Sequence, residues 1–258
     1  MTTISFIGTG HITAALVAGL CGLPGSPKRI LVGPRNADTA ADLARRFKQV
    51  TVATDNQTAV SESDWVVLAL RPQIAHAVVP TLKFRPGQRV LSLIAPVDDE
   101  WMDAAIAPGR LAARIFAMPS VESRIGPIVL FPRDAEVAAL LQGLGTQVTA
   151  RDRREFLALW SVTALIAPYY GFLASSAEWA AANGARADTA TAFTAASFHA
   201  LGAIADRRGA PSPIDLAQHA QTPGGLNEQA VKELTSGNWF AAVGSALDGI
   251  LKRLEGKK

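Results

Sequence analysis

Four residues, Ile4-Ser5-Phe6-Ile7, run straight into Gly8-Thr9-Gly10, and the chain continues as His11-Ile12-Thr13-Ala14-Ala15-Leu16. The first run favours a strand, and the small residues after the glycines suit a helix. A strand, a glycine turn and a helix in that order leave the first N–H groups of the helix, and its positive dipole end, facing the turn. Gly8 can make the tight turn, and Gly10 lets the backbone approach a pyrophosphate seated on the N–H groups of His11 and Ile12. The third glycine of the G-x-G-x-x-G pattern is replaced by Thr13, although Ala14 and Ala15 keep the helix slim. Gly8, Gly10, His11 and Ile12 are therefore expected to hold a dinucleotide, against the plainer reading of an ordinary glycine turn.

From residue 3 to about residue 150, short β-rich runs alternate with longer amphipathic ones, the pattern of parallel strands joined by crossover helices. Strands are expected at 3–7, 29–32, 51–53, 65–68, 89–93, 111–115 and 128–131. Helices are expected at 13–21, 38–47 and 74–82, with Asp38 as N-cap of the second. After residue 152 the β-rich runs vanish, alanine becomes abundant, and apolar residues recur at helical spacing over 189–205 and 240–254. The fold class is thus α/β, a doubly wound sheet of Rossmann type (1–151), followed by an all-helical half (152–258).

The helical half holds two stretches, 156–177 and 189–205, that are almost free of charge; Glu178 closes the first. The first is about as long as a membrane span, but Ser161, Thr163, Pro168, Tyr169, Tyr170, Ser175 and Ser176 make it semi-polar. Two such helices in a domain this small call for burial in the interior or in a subunit interface, so a homodimer or higher homo-oligomer is expected and a membrane partner is not. Among 258 residues, 25 Lys and Arg against 22 Asp and Glu form no basic stripe, which excludes nucleic acid as a partner. One cysteine, Cys21, forms no internal disulfide and reads as core filler. Four dispersed histidines and that cysteine give no metal-ligand spacing, so no metal is expected. The opening residues lack the basic head and long apolar segment of a signal peptide, and a cytoplasmic location is expected. Gly256-Lys257-Lys258 reads as a solvated tail.

The end of the second strand decides between nicotinamide cofactors, because an acid there binds the ribose diol and repels a 2′-phosphate. Here it reads Val32-Gly33-Pro34-Arg35-Asn36, with no acid before Asp38. Arg35 offers a planar fork of donors suited to phosphate, which favours NADPH over NADH; a solvated loop arginine is the alternative. The fourth strand ends in Leu68-Ala69-Leu70-Arg71-Pro72-Gln73, and Ala69, Leu70, Arg71 and Pro72 are placed to line the cofactor.

These residues resemble the pyrroline-5-carboxylate reductase family, NADPH-dependent enzymes that reduce a cyclic imine acid to proline. The resemblance spans nearly the whole chain. It rests on the opening strand-turn-helix, on Gly33-Pro34-Arg35-Asn36, on Asp55-Asn56, on Leu68-Ala69-Leu70-Arg71-Pro72-Gln73 near the family's L-A-V-K-P-Q, and on Thr222-Pro223-Gly224-Gly225 near its S-P-G-G. It implies a helical domain that interlocks with its dimer mate, with Arg35, Asn36 and Asn56 on the cofactor. It also implies that Gly224, Gly225 and Leu226 hold the substrate carboxylate, with Tyr170 beside the substrate. Two glycines before Leu226-Asn227-Glu228 form, in their own right, a nest of backbone N–H groups suited to a carboxylate, or a plain turn opening a helix.

The substrate end departs from the family. Asn227 stands where the family's threonine contacts the ring nitrogen; an amide can still donate, so Asn227 is the expected catalytic contact. The family's R-x-M-P-N-T-P-A corresponds to Arg114-Ile115-Phe116-Ala117-Met118-Pro119-Ser120-Val121, which loses most of the motif. Its glycine-serine run is replaced by Ala164-Leu165-Ile166-Ala167 before Pro168-Tyr169-Tyr170, and Ile94-Ala95-Pro96 stands where the family has A-G. Tyr170 and His219 are further candidate donors, although His219, like His11, His76 and His199, reads more simply as a helix-face or packed histidine.

The substrate class expected is an imine or keto acid. A β-hydroxyacid dehydrogenase-like carbonyl reductase shares the two-part layout but needs a helical lysine, and no lysine lies between Lys83 and Lys232. A catalytically silent NADP-binding sensor is the reading from another class; it binds the nucleotide without turnover.

Overall fold

The computed structural model describes residues 2–94, 97–207 and 209–256. The chain forms two compact units: residues up to Trp160 together with the chain end from Arg253, and Ser161–Lys252. Ala95 and Pro96, where the family has A-G, and the tail residues Lys257 and Lys258 lie outside the described residues.

The first unit is an eight-stranded sheet in the order β3-β2-β1-β4-β5-β6-β7-β8. Its strands are β1 (Thr3–Ile7), β2 (Arg29–Val32), β3 (Val50–Val52), β4 (Trp65–Leu68), β5 (Arg89–Ser92), β6 (Arg110–Ala117), β7 (Pro127–Phe131) and β8 (Thr146–Thr149). The connecting helices are α1 (His11–Cys21), α2 (Ala37–Arg46), α3 (Asn56–Ser61), α4 (Pro72–Val78), α5 (Asp99–Ile106) and α6 (Ala135–Leu140). Strands β1 to β6 pair in parallel, in the doubly wound order expected, with the order reversing on either side of β1.

Alternation along β1 explains why both faces are covered. Ile4 and Phe6 pack with Ala15, Leu16 and Leu20 of α1 and with Leu43 of α2. Ile7 faces the other layer, with Ala59 and Val60 of α3, Ala75 of α4 and Met102 and Ile106 of α5. Successive strand side chains point to opposite faces, so a strand buried on both sides carries few polar residues. Each such side chain is worth about 1.5–3 kcal/mol when fully buried.

Three expectations are corrected. Strand β7 runs antiparallel to β6, because the 118–126 connection holds only a 3-10 turn (Pro119–Ser123) and no crossover helix. Asp38 lies inside the first turn of α2 and the N-cap is Asn36, without a side-chain capping bond. Strand β8 and helices α3, α5 and α6 are additional; α3 and α6 are too short to show periodicity, and their starts are fixed by Asp55 and Asp134 accepting from backbone N–H groups.

Cys21 ends α1, half-buried and packed against the core as expected. Burial pushes its thiol up to about 11, with Arg46 opposing the rise. Alkylation of Cys21 by iodoacetamide near pH 8 is therefore expected to run on the order of 100-fold slower than that of free cysteine, since the thiolate is the nucleophile. A rate equal to the free thiol, measured by mass spectrometry, would show that Cys21 is open to solvent.

The second unit is all helix: α8 (Ile166–Ala182), α9 (Ala187–Asp206), α10 (Pro213–His219), α11 (Leu226–Ser236) and most of α12 (Trp239–Leu254). Helix α7 (Arg153–Val162) leads into it through a 3-10 turn at Thr163–Leu165. Burial within the unit is slight: α8, α10, α11 and α12 bury no residue, and α9 buries only Ala190 and Thr194. From Val162 onward the charge-free stretch is thus not sheltered within one chain: Val162 is 52% exposed and Tyr170 63% exposed. Among the described residues, Arg153–Ala182 is the one helical segment long and apolar enough to cross a bilayer by length and composition.

Candidate functional site

The loops that follow β1, β2, β3 and β4 converge at the carboxyl edge of the sheet. Gly8, at φ 102°, takes a backbone conformation that L side chains rarely adopt, and a Cβ there would collide with the Ala69 carbonyl oxygen. Gly33 N–H donates to the Phe6 carbonyl at 2.9 Å, and Thr9 Oγ1 donates to the Gly33 carbonyl at 2.6 Å. A methyl group built on Gly33 would lie 2.7 Å from Asn56 Oδ1 and 3.8 Å from the Gly8 nitrogen. Gly8, Gly33, Asn56 and Ala69 are therefore neighbours, although they come from four separate loops.

The start of α1 is built as a seat for an anion. Gly10 is its N-cap without a side-chain capping bond, the first turn holds no acid, and Ala14 N–H is the first to find its helical partner, the Gly10 carbonyl. The N–H groups of His11, Ile12 and Thr13 thus precede the helical ladder. Nothing in the protein lies within 4 Å of a Cβ built on Gly10, so packing does not require glycine there. The space a side chain would fill is the space an approaching pyrophosphate needs. The residues present fit a dinucleotide.

Thr9 and Thr13 were not legible as functional. Thr13, fully buried, donates its Oγ1 to the Gly8 carbonyl at 2.5 Å. The hydroxyl braces the turn at the point where the common pattern has a third glycine. The only signal in the sequence was the departure itself.

Arg35 is exposed just beyond β2, with no hydrogen bond or ion pair of its own among the described residues. Asn36 caps α2 through its backbone only, and Asn56 opens α3 behind the Asp55 cap. Ala69 N–H is held by the Ile7 carbonyl at 2.8 Å, and Leu70 is partly buried beside Gly8. Arg71 is the extended N-cap of α4 and Pro72 its first residue, as expected for an X-Pro step. These eleven positions, Gly8, Gly10, His11, Ile12, Arg35, Asn36, Asn56, Ala69, Leu70, Arg71 and Pro72, all lie in the loops or helix starts after the first four strands.

Arg114, which begins the segment matched to R-x-M-P-N-T-P-A, is committed elsewhere. It lies buried in β6, its Nε 2.8 Å from Asp99 Oδ1 and its Nη2 3.1 Å from the Val97 carbonyl. It braces the loop before α5. Among the described residues no group of His, Cys, Asp and Glu could hold a metal ion.

The Pro-Gly-Gly turn, in the second unit, differs from the bare nest expected. Gly224 takes φ 72°, but its N–H donates to Glu228 Oε2 at 2.8 Å. Gly225 N–H donates to the Thr222 carbonyl at 2.8 Å and closes the turn. Two of the three expected donors are thus engaged, and Leu226, 86% exposed, opens α11 with its N–H ahead of the helical ladder. Asn227 Nδ2 donates to the Ala220 carbonyl at 3.0 Å, which engages one of the two amide hydrogens and leaves Oδ1 as an acceptor. Tyr170 lies on α8 with its ring 5.5 Å from that of Tyr169, and exposed His219 closes α10. The carboxyl of Glu228 is held below the usual carboxylate range by the Gly224 N–H and then by Lys232. Its position three residues after the Gly225 cap is the one signal that could have revealed it, since a Glu there commonly reaches back to a helix start.

Comparison with known proteins assigns both units. Residues 3–96 match the family described as NADP oxidoreductase coenzyme F420-dependent, and residues 160–256 match pyrroline-5-carboxylate reductase dimerisation. The chain is 28% identical to a pyrroline-5-carboxylate reductase of Pseudomonas aeruginosa, over 97% of this chain and 94% of the relative. It is similar in fold to a pyrroline-5-carboxylate reductase structure from Coxiella burnetii, with a TM-score of 0.84, 24% identity and coverage of 100% of this chain and 99% of that one. The Plasmodium falciparum pyrroline carboxylate reductase with NADP bound gives a TM-score of 0.82 at 14% identity, covering 99% and 97%. With the amino-terminal sheet, the helical dimerisation region and the full-length likeness all in agreement, the chain belongs to the pyrroline-5-carboxylate reductase family.

Proposed function

We infer that the protein is a nicotinamide-dependent reductase acting on the C=N bond of a cyclic imine acid, with NADPH as the preferred cofactor and a homo-oligomer as the working form. The observation that carries this reading is the open seat at Gly10, at the start of a helix with no acid in its first turn, in a chain that matches named pyrroline-5-carboxylate reductases along nearly its whole length.

A bound nicotinamide supplies the hydride. The rest falls to this chain's residues. The N–H groups of His11 and Ile12 hold the pyrophosphate, and the loops at Asn56 and at Ala69–Pro72 line the nucleotide. Arg35, lacking a protein partner, is available to a 2′-phosphate. In the helical half, the backbone N–H groups of Leu226 and Asn227 receive the substrate carboxylate, with Gly224 and Gly225 shaping the turn and Tyr170 contacting the ring. Asn227 Oδ1 accepts from the N–H of a protonated imine, a better match than a donor for a cationic nitrogen. Holding the imine in its protonated form would leave its carbon electrophilic enough to take up the hydride such a cofactor would supply, with no strong acid needed at the site. The match of residues 160–256 to the dimerisation region supports reading Arg153–Ala182 as an interface helix rather than a span.

The test is NADPH consumption followed by absorbance with five- and six-membered cyclic imine acids. Turnover supports the reductase. Binding of NADPH without turnover on either ring or on simple keto acids returns the protein to a sensor role.

Arg35→Ala separates the two cofactors. The Kd for NADPH is expected to rise about tenfold or more, and that for NADH by less than about twofold, because a charge-assisted bidentate contact to the 2′-phosphate is lost in one case only. Equal changes in fluorescence titrations of both cofactors would assign Arg35 to the solvated surface.

A further inference from the structure

We propose that Glu228 is a built-in competitor for the substrate's carboxylate at the Pro-Gly-Gly turn and so sets how tightly this protein binds its acidic substrate. The proposal rests on the reading above that this turn receives a carboxylate. Its own support is the pair of contacts that Glu228 makes. One carboxylate oxygen, Oε2, accepts from Gly224 N–H at 2.8 Å, and the other, Oε1, lies 3.1 Å from Lys232 Nζ, one turn further along α11.

A carboxylate of the protein therefore already occupies one donor of the turn. A ligand carboxylate that comes to the neighbouring N–H groups of Leu226 and Asn227 meets a like charge within a few ångströms, in the place where the helix dipole would otherwise favour an anion. Protonation does not relieve the conflict at neutral pH, because the same Gly224 N–H and Lys232 keep the carboxyl ionised. Displacement relieves it. Glu228 can give up Gly224 and keep Lys232, which makes the lysine the rest position of the competing group. Glu228 and Lys232 then act on affinity in opposite senses: Glu228 weakens binding, and Lys232 strengthens it by drawing Glu228 aside.

The experiment compares wild type with Glu228→Gln and Lys232→Gln in the full-length protein. Glutamine at 228 keeps an acceptor for Gly224 N–H and removes only the charge. Calorimetric Kd values are measured for L-proline, which carries the carboxylate, and for pyrrolidine, which lacks it, with the KM for 1-pyrroline-5-carboxylate measured alongside. Glu228→Gln is expected to lower the Kd for L-proline and the KM by about three- to tenfold, Lys232→Gln to raise both, and neither to move pyrrolidine. The differences should shrink at high salt, as for any exposed charge pair. NADPH affinity and helical content, unchanged in all three proteins, report that folding is intact. If Glu228→Gln leaves L-proline binding unchanged or weakens it while wild type binds and turns over normally, the competitor role is overturned and the reductase reading stands. If wild type neither binds L-proline nor reduces the imine acid, both readings fall together.

Discussion

Replacing Gly10 with Asp is expected to raise the Kd for NADPH by at least about 100-fold while leaving the fold as stable as before. The two halves of that statement have separate causes. Aspartate is a favoured N-cap and accepts from the N–H groups two and three residues on, so α1 gains a cap that it lacks in the native chain. A Cβ at position 10 meets no protein atom within 4 Å, so the substitution creates no clash. The same carboxylate fills the pyrophosphate seat, takes its donors and adds a like charge. Thermal unfolding should therefore shift by no more than about 1 kcal/mol in either direction. Retention of native NADPH affinity in the variant, by fluorescence titration, would place the nucleotide somewhere other than the start of α1.

The second large effect concerns the helical half. Within Ser161–Lys252, helices that carry Trp179, Phe193, Leu201 and Phe240 on their surface bury almost nothing, and Phe193 is 73% exposed. So little internal apolar burial cannot offset the conformational entropy of ordering five helices. Their stability has to come from a second copy, in keeping with the dimerisation match over 160–256. The wild-type Tm is accordingly expected to fall by about 2–4 °C for each tenfold dilution. Phe193→Asp should abolish the dimer in sedimentation and reduce far-ultraviolet helicity, leaving the amino-terminal sheet able to bind NADPH. A concentration-independent Tm, or a folded monomeric variant of full helicity, would show that the helical half stands alone.

Much of the sheet could be read from the chain because its strands are buried on both faces. Ile30 to Val32 and Trp65 to Leu68 are continuous apolar runs bounded by turn residues, and their ends fall where the pattern stops. Strand β8 escaped for the opposite reason: Thr146-Gln147-Val148-Thr149 holds β-branched residues, but it is short and half-exposed at the sheet edge and lacks the continuous apolar run of a buried strand. The nucleotide end was legible because backbone geometry demands glycine at Gly8 and forbids a side chain at Gly33. The substrate end was less so. Whether a glycine's N–H is available depends on what its neighbours reach, and neither the Glu228 contact with Gly224 nor the Asn227 contact with Ala220 follows from spacing alone. The interface helices were recognised by the charge they lack, yet a single chain leaves them uncovered.

The two rims of the sheet bear on how large an assembly can grow. Strand β3 is three residues long with two of them exposed, and β8 is four residues rich in threonine and glutamine. Both offer little flat, greasy backbone for another sheet to extend. Edge-to-edge, open-ended growth of one sheet onto the next is thereby disfavoured at both rims.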